Sequence, residues 1–412
     1  MRRLTRPPDL AAQGLRPLVG PVYVPSLIYA AGASALVPAQ VILALQLGFS
    51  PAAFAGVMTW IGAFAVFASV FAGRLVDRWG DKRALIGVTV LGGAGLLLAA
   101  LAAADGSPWA KWVLVVALTL FDLVDAVWSI ARQGLVMDLA PVHLRGRAMS
   151  LYGACQRLGR LAGPLLAAPI LAVASPLWVL PVTTTVCVVA LAWLIRHRPS
   201  LAGPPLASST PIASAPTPLN PPVGRRAVAT LGGGALILEA LRISVTTLVP
   251  LWAVQGAQLN PPEVALLLAL ISGAQLVLFW PAGVVVDRWG LAPVTVTAMA
   301  GISLGLGLMP LDRSITWLVL CGLLVGLGDG VGAGVIKQMG AALAPVEGRA
   351  AFLGHWQGIA SAGSLASPAL SGVAIAAASL PVALVLNGGM GLAGAAWMAV
   401  WVPRLLPRPG PR

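Results

Sequence analysis

Apolar runs of about 20 residues, each ended by charges, Pro/Gly clusters or polar turns, recur along the whole chain. A hydrocarbon core roughly 30 Å thick takes about 20 residues of helix. The pattern therefore predicts membrane spans near 21–47, 52–72, 84–104, 110–137, 148–173 and 176–195, and again near 228–254, 262–286, 291–310, 314–340, 349–377 and 380–402. Between the sixth and seventh spans, residues 196–226 (RHRPSLAGPPLASSTPIASAPTPLNPPVGRR) are rich in Pro, Ser and Ala and have no apolar periodicity. Such a segment buries too little surface to order itself and reads as a flexible linker. The expected fold is thus an all-α polytopic membrane protein with twelve transmembrane helices. It divides into an N-terminal six-helix half (1–195), the linker (196–226) and a C-terminal six-helix half (227–412).

Composition supports the same class. Charged residues make up 9% and hydrophobic residues 58% of the 412 positions, where a soluble domain carries about 25% charged residues. The net charge of +13 would in a soluble chain suggest nucleic acid. Here 19 of the 26 Lys and Arg residues fall on one side of the predicted spans and only Lys111 and Arg313 on the other. By the positive-inside rule that side is cytoplasmic, so both termini and the linker are expected in the cytoplasm and the protein in the cell's inner (plasma) membrane. The charge then records topology, and no nucleic-acid partner is expected. The basic N-terminus leads into an apolar run too long for a signal peptide and is expected to be retained as a span. Cys155, Cys187 and Cys321 lie in separate apolar runs without metal-ligand spacing, so neither disulfide nor metal site is expected.

The two halves repeat. GRLVDRWG (73–80) returns as GVVVDRWG (283–290), an offset of 210, and LAPVHLRGRA (139–148) returns as LAPVEGRA (343–350). Pro164 and Pro368 each follow their LAPV proline by 23 residues. A duplicated six-span unit of this kind is typical of secondary transporters.

GRLVDRWGDKR between spans 2 and 3 resembles the cytoplasmic signature of the major facilitator superfamily, and GVVVDRWG resembles its weaker copy between spans 8 and 9. The resemblance extends from about residue 20 to 402. Gly73 and Gly80 suit close backbone approach and a tight turn, and Asp77 can satisfy the positive end of a neighbouring helix. The resemblance implies that Asp77 and Arg78, with Asp287 and Arg288 in the second copy, act as a conformational latch. Asp81 stands where a basic residue is usual, and Leu291 and Ala292 follow Gly290, so the second latch is expected to be weaker. The stretch 131–166 resembles the span 4 to span 5 region of superfamily members including drug exporters. There Gly159, Gly163 and Pro164 resemble the start of an antiporter signature, although Ala167 and Ala168 replace its later glycines; ordinary helix packing explains the same residues.

Charges within spans are a sharper signal, because a charged side chain at mid-bilayer costs about 2.5 to 3.5 kcal/mol even on insertion scales. At 100° per residue, Asp122, Asp125, Ser129, Arg132 and Gln133 form one polar stripe on span 4, and Glu239, Arg242 and Thr246 share a face of span 7. Asp329 on span 10 precedes Pro345 by 16 residues, as Asp125 precedes Pro141. The family resemblance implies that spans 1, 4, 7 and 10 line a central cavity. In an antiparallel hairpin of spans 4 and 5, Asp125 lies at the depth of Arg160, so the two can pair, as can Glu239 with Arg242 within one helix. Either set serves as a neutralised structural bridge or in coupling. Asp122 has no partner in this reading.

There is no phosphate loop, HExxH or GxSxG, so neither ATP hydrolysis nor another enzyme activity is expected, and no cofactor is implied. The expected function is proton-coupled efflux by antiport of a small organic or drug-like compound. The alternatives are a proton-coupled importer of a sugar or organic anion, and a non-transporting membrane receptor. The expected pathway residues are Asp122, Asp125, Arg132 and Arg160 in one half and Glu239, Arg242 and Asp329 in the other, with protons, the substrate and the bilayer as partners.

Overall fold

The structure, a computed structural model, describes residues 15–141, 144–197, 224–345 and 349–406. Every regular element among them is helical. A short 3-10 turn and a π turn lead into α1 (Val24–Gln46); α2 (Pro51–Ala104), α3 (Ala110–Leu139), α4 (Arg145–Val173) and α5 (Val179–His197) follow. The second set comprises α6 (Arg225–Gln255), α7 (Pro261–Trp289), α8 (Leu291–Leu308), α9 (Ile315–Val331), α10 (Val335–Leu343), α11 (Arg349–Ala377) and α12 (Leu380–Leu405). Among the described residues, eleven segments are long and apolar enough to cross a membrane. The expected fifth span, α4, has the length at 29 residues, but Arg145, Arg147, Arg157 and Arg160 dilute its apolar character.

Several boundaries differ from the sequence reading. Spans 2 and 3 are not separated by a loop: α2 runs through both, broken only at Gly80 (φ 73°, ψ 153°). The second copy does the same at Gly290 (φ 80°, ψ −173°), where α7 ends and α8 begins. Both glycines occupy a backbone region that is essentially closed to other residues, so each signature breaks the helix at a single residue. Span 10 is not continuous either: α9 stops at Val331, and Gly334 (φ 86°) starts α10. Dense glycine in GLGDGVGAG lets the chain leave the helix there. Finally, α5 and α6 each enter the expected linker by two residues, and its remainder, 198–223, lies outside the described residues.

Caps account for the sharp starts of several helices. Asn260 and Glu263 form a capping box at α7, with Pro261 in the first turn. Before α9, the Ser314 hydroxyl accepts from the Trp317 amide at 3.4 Å and donates to Asp312 at 2.7 Å. That hydroxyl, with the Ser314 amide, holds the Asp312 carboxyl below its usual range.

The chain forms two compact units. The first comprises Met1–Leu47 and Phe64–Ser200, the second Gly48–Ala63 and Leu201–Arg412. In the first, α1 packs on α4 through glycine: a Cβ at Gly159 would sit 2.6 Å from the Leu27 carbonyl oxygen, and one at Gly163 would sit 2.6 Å from that of Ala31. In the second, Gly363 on α11 meets α6 at Leu236 and Ala240, the repeat counterpart of Gly159. Gly326 and Gly330 of α9 press on the α7 carbonyls of Ile271 and Gln275, and Gly301 and Gly305 of α8 meet α9 on another face. Without a hydrophobic drive between helices in lipid, such small residues supply close van der Waals contact. Large apolar side chains point outward instead: Phe67, Leu101 and Val277 are 74%, 66% and 66% exposed, as a lipid-facing surface requires.

Candidate functional site

In the first unit the polar stripe lies on α3. Arg132, only 2% exposed, sets its guanidinium over the Trp128 ring at 4.1 Å. Trp128 stacks on Tyr29 of α1 at 4.2 Å and donates from Nε1 to the Thr89 hydroxyl at 2.9 Å. Neither terminal nitrogen of Arg132 has a hydrogen-bond partner among the described residues; its charge is met by the indole face and, at longer range, by the Asp81 carboxylate. On the same stripe, the Gln133 amide donates to the Ser129 hydroxyl at 2.9 Å.

Asp122 is half-buried, and its Oδ2 is buried without a hydrogen-bond partner among the described residues. Asp125 and Arg160 do not form the expected ion pair. Both are exposed, and the guanidinium acts on the carboxylate only through space. The Tyr29 hydroxyl is directed at Asp125 without reaching hydrogen-bonding geometry. Equal depth along a hairpin is insufficient for a bridge when α4 makes its close approach to α1, at Gly159 and Gly163, instead of to α3.

In the second unit, Arg242 of α6 is the centre. Its Nη1 lies 3.6 Å from Glu239, the pair expected from sequence. Its shorter bond is to another helix: Nε donates to Asp329 Oδ1 of α9 at 2.6 Å, and Nη2 donates to the Gly332 carbonyl at 2.8 Å. The break after α9 exposes that carbonyl, so a single guanidinium closes both the part-buried carboxylate and the interrupted backbone. Asp329 was expected as a pathway residue and a repeat of Asp125 but not as the partner of Arg242, and the Gly332 to Gly334 break was not expected at all. The signal was the three glycines that follow Asp329 within five residues.

Two residues along α6, Ser244 opens a neutral network that sequence reasoning missed. Its hydroxyl lies 2.7 Å from Ser367 Oγ and 2.7 Å from Asn387 Oδ1, and Asn387 donates to Ser371 at 3.1 Å. All four side chains are buried, joining α6, α11 and α12.

The latch residues are less engaged. Asp77, Arg78 and Arg288 are exposed, and Asp77 and Arg78 make no hydrogen bond or ion pair among the described residues. The side chain of Asp287 lies outside those described. Gly73 does not mediate a close approach, since a Cβ there would meet nothing within 4 Å; only Gly80 carries the turn. Among the described residues no three His, Cys, Asp or Glu side chains converge as metal ligands would.

A family model described as Major Facilitator Superfamily matches residues 24–261 and 231–412. Among solved structures, a POT family transporter in complex with 5-aminolevulinic acid superposes with TM-score 0.71 at 12% identity, covering 93% of this chain and 96% of that one. A D-xylose-proton symporter gives 0.70 at 14% identity, covering 95% and 98%. The nucleoside transporter NupG gives 0.66 at 14%, covering 92% and 98%. A Na(+), Li(+), K(+)/H(+) antiporter from Planococcus maritimus is 32% identical over 107 residues, 26% of this chain and 24% of that protein. The match thus spans about a quarter of that relative.

Proposed function

The chain belongs to the major facilitator superfamily, and on that premise we propose that it exports a small organic, drug-like compound by antiport against protons, using alternating access. The observation that carries this reading is the unequal treatment of the acids within the spans. Asp329 and Glu239 are held by Arg242, whereas one carboxylate oxygen of Asp122 is buried with no hydrogen-bond partner among the described residues. Arg242 neutralises the charge of the first two, whereas nothing described lies beside that oxygen of Asp122 to do so. Asp122 is the proton carrier in this scheme. Arg132, Asp125 and Arg160 line the pathway in its half, and Glu239, Arg242 and Asp329 line it in the other, where the interrupted span 10 has the form of the broken helices that bind solutes in transporters. The partial likeness to a cation/proton antiporter supports antiport.

Asp77, Arg78, Asp287 and Arg288 serve as the conformational latch, with Gly80 and Gly290 as its turns. Both termini and the 196–226 segment face the cytoplasm, across the plasma membrane of the cell. One observation favours the alternative of organic-anion import: Arg160 is exposed and forms no ion pair among the described residues. The experiment begins with a panel of toxic compounds and carbon sources on expressing cells. Inside-out vesicles with an acidified lumen then receive whichever compound distinguishes those cells. Antiport predicts that adding it releases protons from the lumen as the compound accumulates. Compound and protons moving in the same direction would identify an importer.

A further inference from the structure

A second site lies on the outer face of the second unit. Between α6 and α12 runs a groove of about 330 Å³. Ala229, Gly233 and Ile237 form one wall, and Met390, Gly394 and Trp397 form the other. The lining residues recur every three or four positions along both helices, so the groove follows the helix axes for about 12 Å. It is almost wholly apolar. Its one polar side chain is Thr230, whose backbone carbonyl accepts from Trp397 Nε1 at 3.2 Å. A sugar, peptide or other polar solute would find almost nothing to hydrogen-bond there. Gly233 is exposed, with nothing within 4 Å of a Cβ, so the groove opens outward toward the membrane.

Both walls end in arginine. Arg225 and Arg226 lie one turn before Ala229 and Thr230 on the groove face of α6, at the helix N-terminus, where Gly224 offers no side-chain cap. On α12 the stripe of Met390, Gly394 and Trp397 continues through Trp401 to Arg404. The Arg404 guanidinium lies 5.6 Å from the Trp401 ring centroid, and the Trp397 and Trp401 rings are 5.8 Å apart. The antiparallel register set by Trp397 and Thr230 brings Arg404 to the same end as Arg225 and Arg226. All three are exposed, α12 carries no Asp or Glu, and the first acid on α6 is Glu239, past the far end of the groove.

We infer that this groove binds an anionic phospholipid, with one acyl chain along Ala229 to Ile237 and the headgroup phosphate on Arg225, Arg226 and Arg404. A long apolar slot accepts a chain, and the aromatic pair marks the depth of the membrane interface. Three exposed guanidinium groups with no acidic partner among the described residues, together with a helix N-terminus, select a negative headgroup.

Native mass spectrometry of the delipidated full-length protein, titrated with phosphatidylglycerol or with phosphatidylcholine of identical chains, tests this. Wild type should bind phosphatidylglycerol about tenfold more tightly. Replacing Arg225, Arg226 and Arg404 together by Gln should bring the two lipids within about twofold of each other. Gly233→Leu starts from a Cβ with open space around it, fills the slot and should weaken both lipids about tenfold; Ala393→Leu, on the opposite wall where Ala393 also lines the groove, repeats the test if that variant does not accumulate. Arg313→Gln, at the far end of the molecule's spans, should change nothing. Equal binding of the two lipids by wild type, or phosphatidylglycerol binding unchanged in the arginine and groove variants, would overturn the site. So would a dimer that Gly233→Leu dissociates, since the groove would then hold a second copy of the chain.

Discussion

Arg242 Nε holds Asp329 Oδ1 at 2.6 Å between α6 and α9, and the same guanidinium takes the Gly332 carbonyl where span 10 breaks. Breaking this junction should cost more than loss of a surface ion pair, since both side chains are about four-fifths buried (22% and 18% exposed). Arg242→Gln should lower stability by about 1.5 to 3 kcal/mol, the range for hydrogen bonds to charged groups. Asp329→Asn combined with Arg242→Gln should cost less than the sum of the single changes. Thermal unfolding in detergent measures the cycle, and strict additivity would show that the contact carries no coupling.

The two signature turns should respond alike. Gly80→Ala and Gly290→Ala force a Cβ into positive-φ backbone and should each cost about 1 to 3 kcal/mol. Gly73→Ala, seven residues before Gly80 in regular helix with open space around it, should be neutral or stabilising by up to about 1 kcal/mol. Melting temperatures of the three variants separate a turn requirement from a packing requirement.

Helix approach gives a second matched pair. Gly159→Val and Gly363→Val would place side chains against the backbones of α1 and α6, where there is no room. Both should sharply reduce the folded yield, with a cost of at least about 1 to 3 kcal/mol from overpacking. Fluorescence-detected size exclusion of tagged protein reads the effect. Normal behaviour of Gly159→Val would mean that α4 and α1 separate easily.

Coupling is tested by two neighbouring acids. Asp122→Asn should abolish proton-driven transport and spare downhill exchange of substrate. Asp125→Asn should fold normally, because Arg160 is exposed rather than left buried and alone. If proton-driven transport survives Asp122→Asn but fails in Glu239→Gln at equal expression, the proton site belongs to α6.

Orientation can be decided by labelling. A cysteine introduced as Ser208→Cys should be protected from an impermeant reagent in intact cells and react in inside-out vesicles. Reaction from outside would reverse the proposed topology.

Apolar run length was sufficient for eleven of the twelve expected spans, because one helix crossing of a bilayer is a local property of about 20 residues. The duplication was equally legible, since GRLVDRWG and GVVVDRWG stand 210 residues apart. Partnership was not local. Helical periodicity placed Glu239 beside Arg242, but the closer bond to Asp329 spans 87 residues and depends on how α6 meets α9. The same reasoning put Asp125 at the depth of Arg160 and yet no bridge formed, because depth leaves side-chain azimuth undecided. The turns at Gly80 and Gly290, the interruption at Gly334 and the Ser244 to Asn387 network likewise depend on backbone angles and helix contacts. A linear pattern carries the period of a helix and the sign of its charges; which faces meet emerges only when the helices pack.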